Sequence, residues 1–410
     1  MQGCSALCPV RGQARGSTTL THAFYRSEDD MSGTMDAPQM GETMEAPEMG
    51  ETMEAQEMGG TMGAPTTSDA MSGDAMSGMK ATMKAVSQDE LGGPEVLKLV
   101  RLPIPDPGVS EMLIRVHAAS VNPIDGANRE TGAFVGEPPF VLGWDVCGSV
   151  EAVGPGVTLY NPGDVVFGLL PFPQGHGAYA EYVVGPTRAF VPKPDRLSHV
   201  EAAAIPMVGL TAWQALVDTA RVGDGTRVLI TGAAGGIGHL AVQIAKARGA
   251  HVTALASAAD LDFVRSLGAD EALDYNGADF TDFVRDQDAV LDVVGGDYPA
   301  RALDVLKPGG ILVSTQPPTL APIAGTATER GIRLAGIIVE SDQVGLFALA
   351  ELAAAGKLVP TIAATFPLEE AAAASATADL TSSGGRFPLE DGAAAHSGKH
   401  GPGKVVLTIA

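Results

Sequence analysis

The chain has 410 residues, three cysteines and a formal net charge of −23 at pH 7. This length accommodates two or three domains of ~100–200 residues each. So acidic a chain has no basic stripe with which to displace counterions, which argues against a nucleic-acid partner. No apolar run approaches the ~18 residues that a membrane span requires. Three cysteines cannot form a disulfide framework, so we expect a cytoplasmic protein with no membrane partner.

Residues 1–79 differ in composition from the rest of the chain. They hold 12 of the 15 methionines, 12 acidic residues and three Arg or Lys, and they repeat GETMEAPEM (Gly41–Met49) as GETMEAQEM (Gly50–Met58). With almost no long aliphatic residues they cannot bury enough surface to fold, and we predict a disordered low-complexity tail. A methionine-rich Cu(I) or partner site, a transit peptide in the acid-free residues 1–27, and translation starting at Met79 or Met83 remain alternatives.

The remaining chain has two regions with different patterns of predicted secondary structure. Residues 80–206 alternate short strands with turns, which is typical of a β-rich sandwich or barrel domain. Residues 207–340 alternate strands and helices, which predicts a doubly wound parallel sheet. The predicted strands of that sheet are 227–231, 251–255, 271–273, 289–294, 310–314 and 334–339.

The last part of the chain, residues 341–410, contains a predicted helix and a predicted strand. The helix covers Asp342 to Ala355, and the strand covers Lys404 to Ile409. Between them FPLEEAAAA (Phe366–Ala374) recurs as FPLEDGAAA (Phe387–Ala395). One copy is expected to begin a helix and the other to be a surface insertion, and the sequence leaves open which is which.

A glycine turn between the first two predicted parallel strands carries the strongest functional signal. Gly235, Gly236 and Gly238 follow the apolar run Val228–Ile230 and precede residues with helical spacing. Glycines allow the backbone to approach a pyrophosphate, and the amides at the helix N-terminus stabilise its charge. The turn therefore predicts a dinucleotide site.

Several motifs occur in one order along residues 83–410: VNPID (Val121–Asp125), GWDVCGSVEAVGPGV (Gly143–Val157), LTAWQAL (Leu210–Leu216), AAGGIGHLAVQIAK and the terminal GKVVLTI. Through them the chain resembles the medium-chain dehydrogenase/reductase superfamily, in its zinc-free quinone oxidoreductase-like branch. The resemblance implies an α/β protein with a GroES-like catalytic domain (80–206), a Rossmann domain (207–340) and a return to the catalytic domain (341–410). It also implies a homodimer, and the apolar edge Leu334–Val339 suits that contact.

The resemblance also assigns the positions of a catalytic metal. In zinc members the ligands are Cys, His and Cys, and the matching residues here are Asn122, Trp144 and Met207. Zinc prefers thiolate, imidazole or carboxylate ligands, so we predict no metal. Asp125 and Asp145 remain nearby and are expected to pair with backbone or Arg.

The cofactor is predicted from the residues beyond the glycines. An NAD-binding unit carries an acid about 20 residues further on, whereas this chain has Ser257 there, followed by two alanines. A hydroxyl can donate to a 2′-phosphate that a carboxylate would repel, which favours NADP(H), although no Lys or Arg adjoins Ser257. The resemblance adds Asn122, Thr211, Tyr275, Val294 and Gly295 to these positions. The residues predicted to line the cofactor are Asn122, Thr211, Ala234, Gly235, Gly236, Ile237, Ser257, Tyr275, Val294 and Gly295.

Without a Lewis acid, hydride transfer to a conjugated electrophile is favoured over alcohol oxidation. We expect an NADPH-dependent reductase of quinones or α,β-unsaturated carbonyls, with Asn122 as the candidate catalytic hydrogen-bond donor. An Asn-Pro turn residue that bonds local backbone is the alternative for Asn122. The tyrosine found five residues later in quinone reductases is Ala127 here, and His176 is expected to be a solvated loop residue. Alternative functions are an enoyl-thioester reductase and an NADPH-binding structural or regulatory protein without turnover.

Overall fold

The computed structural model describes residues 80–381 and 402–410. The predicted tail (1–79) and the second FPLE copy (Phe387–Ala395) lie outside the described residues. Over the described ranges, no helix is long and apolar enough to cross a membrane.

The first part of the chain is built from short strands. They are β1 (Thr82–Gln88), β2 (Lys98–Pro103), β3 (Glu111–Val121), β4 (Phe140–Val141), β5 (Asp145–Val153), β6 (Val165–Leu169), β7 (Tyr182–Pro186) and β8 (Phe190–Pro192). β1 lies between β2 and β4 in a small antiparallel sheet. β3 pairs antiparallel with β5 and β7 at the centre of a larger sheet. Two helices interrupt these strands, α1 (Pro123–Thr131) directly after β3 and α2 (His199–Ala203) after β8.

A third sheet follows and is parallel throughout. Its strands are β9 (Arg227–Ile230), β10 (His251–Ala256), β11 (Glu271–Asp274), β12 (Gln287–Asp292), β13 (Leu306–Ser314) and β14 (Arg333–Gly336). The order across the sheet is β11-β10-β9-β12-β13-β14. The connecting helices are α4 (Gly236–Ala247), α5 (Leu261–Ser266), α6 (Tyr298–Ala302) and α7 (Ala324–Glu329). The predicted fold class, a GroES-like β-rich domain with a Rossmann sheet, is confirmed.

Two strands of the parallel sheet end two or more residues earlier than predicted. β12 ends at Asp292 because the chain then turns through Gly295 and Gly296, which both have positive φ. β14 ends at Gly336, since its neighbour β13 ends at Ser314, the residue paired with Gly336. Ile338 therefore lies beyond the strand and is 57% exposed.

The chain crosses twice between the larger sheet of the first part and the parallel sheet. α3 (Pro206–Trp213) leads into the parallel sheet, and α8 (Gln343–Ala354), β15 (Ile362–Pro367), α9 (Ala371–Thr381) and β16 (Lys404–Thr408) lead back. β16 inserts between β15 and β3, and its Val405 pairs with Val121. The first FPLE copy contains the end of β15 and the start of α9, so it does begin a helix. This return places Lys404 beside the end of β3.

Candidate active site

The glycine turn connects β9 to α4 at the carboxyl end of the parallel sheet. Gly232 has a φ of +58°, and a Cβ on Gly238 would lie 2.2 Å from the Gly232 carbonyl oxygen. Helix and turn are therefore in backbone contact, which only glycine allows. Gly235 is exposed, and the amides of the first turn of α4 have no acceptor within the helix. These residues fit a pyrophosphate, whose charge the helix N-terminus would stabilise.

Asp292 organises the strand ends next to this turn. Its carboxylate is buried and accepts hydrogen bonds from the Thr231 hydroxyl at 3.0 Å, the Ser314 hydroxyl at 2.8 Å and the Gly295 amide at 3.1 Å. The ends of β9, β12 and β13 are thereby tied together, and Val294 and Gly295 are placed beside the glycine turn. Sequence reasoning missed Asp292, although an acid that ends an apolar strand was the available signal.

Ser257 and Tyr275 follow neighbouring strands, β10 and β11. The Ser257 hydroxyl donates to the Asp260 carboxylate at 2.6 Å, and the Tyr275 amide donates to the Ala256 carbonyl at 3.2 Å. Burial raises the pKa of Tyr275. The sequence comparison of Ser257 with the usual acid overlooked Asp260, which brings a carboxylate to this corner three residues later.

Asn122 ends β3 and precedes α1, and it is 2% exposed. Its Nδ2 donates to Asp145 Oδ2 at 2.8 Å, while its Oδ1 accepts a short hydrogen bond from Lys404 Nζ. Its backbone amide donates to Asp125 at 2.6 Å. The side chain therefore bonds to Asp145 and Lys404, two residues that are distant from it in sequence.

The two carboxylates near Asn122 accept from backbone amides, as expected. Asp145 Oδ1 accepts from the Met207 amide at 2.7 Å, and its other oxygen accepts from Ser120. Burial raises the pKa of the Asp125 carboxyl to about 7, against the opposing effect of the Asn122 amide. Burial also raises the pKa of Asp145, and the Lys404 ammonium opposes this. Negative charge in this cluster thus depends on the compensating lysine.

The three positions matched to zinc ligands have other partners. The Trp144 ring is fully buried and packs edge-on against Phe172 at 5.2 Å between centroids. The Met207 side chain is a buried thioether, and the Asn122 amide is bonded to Lys404 and Asp145. Amide, indole and thioether do not fit the donor preferences of zinc. In the part of the chain that the structure describes, no three His, Cys, Asp or Glu are grouped to hold a metal ion.

Thr211 and His176 have local partners. The Thr211 hydroxyl donates to the Met207 carbonyl at 2.7 Å within α3. His176 is half-buried, its Nδ1 donates to the Val141 carbonyl at 2.7 Å, and its ring packs at 6.2 Å from the Trp144 ring. His176 therefore lies in a loop, as expected, but its ring is held against the aromatic cluster rather than fully solvated.

Comparisons with known proteins agree with this arrangement. The family model of the alcohol dehydrogenase GroES-like domain matches residues 108–195, and that of the zinc-binding dehydrogenases matches residues 267–385. The chain is 35% identical over 341 residues to "NAD(P)H oxidoreductase RTN4IP1, mitochondrial" of Mus musculus, covering 72% of this chain and 85% of that protein. It is also 35% identical over 291 residues to the 2-methylene-furan-3-one reductase of Solanum lycopersicum, covering 68% and 71% of the two chains.

A solved structure matches as well. The quinone oxidoreductase from Coxiella burnetii superimposes with a TM-score of 0.71 at 36% identity, over 80% of this chain and all of that one. Both the sequence identity and the extent of these matches lie well above what a shared fold alone would give. The chain is an oxidoreductase of the medium-chain dehydrogenase/reductase superfamily and belongs to its quinone oxidoreductase-like branch.

Proposed function

We propose that this protein transfers hydride from NADPH to a quinone or an α,β-unsaturated carbonyl without zinc. The observation that carries the proposal is the proximity of two sites at Lys404. Its side chain bonds to Asn122, and its Cδ lies 3.4 Å from where a Cβ on Gly236 of the glycine turn would be. A nicotinamide cofactor would supply the hydride, while the residues around it position the reactants and exclude water. Relatives named as quinone oxidoreductase and furanone reductase support the substrate class.

Zinc independence rests on the donor set. No residue at the three matched ligand positions offers thiolate, imidazole or carboxylate. A conjugated acceptor needs less activation than an isolated ketone, since its developing enolate or hydroquinone can be stabilised by hydrogen bonds. Dialysis against a chelator should therefore leave turnover unchanged, and loss of activity that added zinc restores would refute this part of the proposal.

NADPH is proposed over NADH because a hydroxyl residue, Ser257, directly follows β10. The Asp260 carboxylate that accepts from Ser257 opposes this choice by repelling a 2′-phosphate. Substitution of Asp260 separates the two contributions. Calorimetric titration with NADPH and NADH gives the preference directly.

The decisive experiment is a screen of NADPH oxidation against quinones, enones, enoyl thioesters and aldehydes. Gly235→Asp is the test variant, since Gly235 is exposed with a φ of −76° and a Cβ there meets only the Gly232 carbonyl, at 3.3 Å. The added carboxylate should raise KM for NADPH about tenfold or more by repelling the pyrophosphate. Gly235→Asn, of equal size and no charge, is the matched control.

The alternatives predict different results in the same screen. Turnover confined to acyl thioesters would identify an enoyl-thioester reductase. Tight NADPH binding with no oxidation by any acceptor would identify a structural or regulatory nucleotide-binding protein. Ala127, in place of the tyrosine of quinone reductases, is the residue that favours this last alternative.

We propose a cytoplasmic location on the basis of cysteine usage, since three cysteines cannot form a disulfide framework. Relatives named as mitochondrial or chloroplastic, and the arginines of residues 1–27, supply the competing hypothesis. Imaging a C-terminally tagged full chain beside one starting at Met83 tests it. Organelle targeting by the full chain alone would assign the tail as a transit peptide.

A further inference from the structure

We propose that Lys404 is a positioning residue of the reductase site, which holds the Asn122 amide in one orientation beside the glycine turn. The inference rests on the proposed reductase function. It concerns a residue that lies 282 positions from Asn122 in sequence and enters the site only because β16 inserts next to β3.

The lysine is almost fully buried, with 3% of its surface exposed. Its Nζ donates to the Val121 carbonyl at 3.0 Å and to Asn122 Oδ1 at shorter range. Asn122 extends the hydrogen-bond chain, since its Nδ2 donates to Asp145 at 2.8 Å. An amide with an ammonium on one side and a carboxylate on the other has a single favourable orientation. Lys404 thereby determines where the second hydrogen of Nδ2 points.

The stem of the same side chain lies against the cofactor turn. A Cβ built on Gly236 would be 3.4 Å from Lys404 Cδ, which is ordinary van der Waals contact. The two ends of the side chain therefore lie at different parts of the site: the ammonium bonds to Asn122, and the methylenes lie close to Gly236 at the start of α4.

A second path through the backbone joins the same two parts. The Lys404 amide donates to the Thr361 carbonyl at 2.8 Å, and the Thr361 amide donates to His239 Nε2 at 3.2 Å. His239 Nδ1 in turn donates to the Gly235 carbonyl at 3.0 Å. Hydrogen bonds thus run from the glycine turn to Lys404 and on to Asn122 and Asp145.

Burying the Lys404 ammonium costs free energy, so we expect the charge to have a role in the site. Burial lowers the pKa of Lys404, whereas Asp145 and Asp125 raise it. Buried ionic groups are often replaceable by apolar residues without loss of stability, so a stabilising role alone does not require an ammonium here. The orientation of the Asn122 amide does require one.

The experiment separates the ammonium from the stem. Lys404→Met keeps most of the stem and removes the charge, so we expect kcat to fall about tenfold or more while the Kd for NADPH, measured by fluorescence titration, changes less than about threefold. Lys404→Ala also removes the stem, and we expect it to weaken NADPH binding in addition. The control for loss of a lysine is Lys246→Met. Lys246 lies on α4, the helix that follows the turn, and its Nζ pairs with Asp270 at 2.7 Å.

Coupling to Asn122 supplies the readout that a merely structural role would not change. Residues that act as one unit give non-additive losses. We expect Lys404→Met/Asn122→Ala to lose no more kcat than the greater of the two single variants. We also expect a larger isotope effect with deuterated NADPH in Lys404→Met, because hydride transfer becomes slower than product release.

Removal of the ammonium leaves Asp145 without compensation, so folding is controlled with Lys404→Met/Asp145→Asn, in which neither charge remains. Wild-type kcat in folded Lys404→Met or in folded Lys404→Met/Asp145→Asn would overturn the inference. So would losses of kcat that simply add when Lys404→Met is combined with Asn122→Ala. The proposed function fails separately, if the wild-type protein oxidises NADPH with none of the acceptors.

Discussion

Individual side chains at the cofactor corner determine which nicotinamide cofactor the protein prefers. Ser257 and Asp260 form a hydrogen-bonded pair after β10. The hydroxyl suits a 2′-phosphate and the carboxylate does not, so the preference depends on the balance between them.

Asp260→Asn is expected to lower the KM for NADPH about threefold to tenfold, because a partly exposed charge repels the 2′-phosphate by about 1 kcal/mol. The KM for NADH should change little, since its ribose carries hydroxyls at this position. Steady-state kinetics with both cofactors measure the ratio. Asp262→Asn, which removes an exposed neighbouring carboxylate paired with Arg265, is the control. An unchanged NADPH to NADH ratio would place the 2′-position elsewhere.

His239 makes the pH dependence of stability testable at a single residue. It is fully buried, and burial lowers its pKa to about 4, against the Gly235 and Gly236 backbone groups that it faces, while the nearby Lys404 lowers the pKa further. The unfolded chain takes up this proton near pH 6.5 and the folded protein only near pH 4. The free energy of unfolding should therefore fall as pH falls through this window, by about 3 kcal/mol in total from His239.

His239→Gln keeps a donor and an acceptor but does not titrate. Between pH 7 and pH 5 it should lose about 2 kcal/mol less stability than the wild type. Urea unfolding at the two pH values measures the difference, and His251→Gln, a partly exposed histidine on β10, is the control. Asp125, whose raised pKa acts with the opposite sign, is common to all three proteins and cancels in the comparison. Equal pH dependence in wild type and His239→Gln would contradict the prediction.

At the scale of elements, the contact between α4 and the glycine turn carries both stability and binding. A Cβ on Gly238 would meet backbone of the turn at 2.2 and 2.6 Å, and backbone cannot rotate away as a side chain can. We expect Gly238→Ala to displace the helix, to reduce the free energy of unfolding by about 2 kcal/mol and to weaken NADPH binding.

Gly325→Ala is the matched control for this substitution. Gly325 lies in α7 with no atom within 4 Å of the position that a Cβ would take, and alanine there should stabilise by about 0.5–1 kcal/mol. Thermal unfolding and calorimetric NADPH titration of the two variants give the comparison. A Gly238→Ala protein with wild-type stability and wild-type Kd for NADPH would contradict the prediction, because the turn would then have shifted to accommodate the added Cβ without cost.

Elements were the part of the molecule that the sequence predicted best. Apolar β-branched runs such as Val228–Ile230 marked the parallel strands, and the glycines of the turn marked the start of α4. Strand ends were less predictable, because β14 stops where its neighbour stops rather than where its own apolar residues stop.

The candidate site was predictable only where it is local in sequence. The turn and the residues after each strand follow from spacing, and Ser-Ala-Ala-Asp (Ser257–Asp260) carried a local signal that went unused. The partners of Asn122 do not follow from spacing, because Asp145 and Lys404 approach it through sheet pairing across 23 and 282 positions. Spacing cannot indicate a hydrogen bond that depends on strand order.

For the whole molecule, we propose a homodimer formed along the β14 edge of the parallel sheet. Among residues 80–381 and 402–410, β14 has a sheet neighbour on one side only, and exposed Ile338 follows it. Ile338→Lys should convert a dimer into a monomer, because a lysine is expensive to bury in an apolar contact. Analytical ultracentrifugation measures the mass, with Val109→Lys, an exposed apolar residue on the other domain, as the control. A wild-type monomer, or dimers in both variants, would refute this interface.

The insertion of β16 between β15 and β3 also has a consequence for synthesis on the ribosome. β3 is made early, yet the strand that pairs with its end is made some 280 residues later. Until β16 emerges, one edge of β3 carries unpaired backbone groups while the parallel sheet between them can already form. A nascent chain in that state exposes an unpaired strand edge, so we expect chaperones to stay bound until β16 has paired with β3.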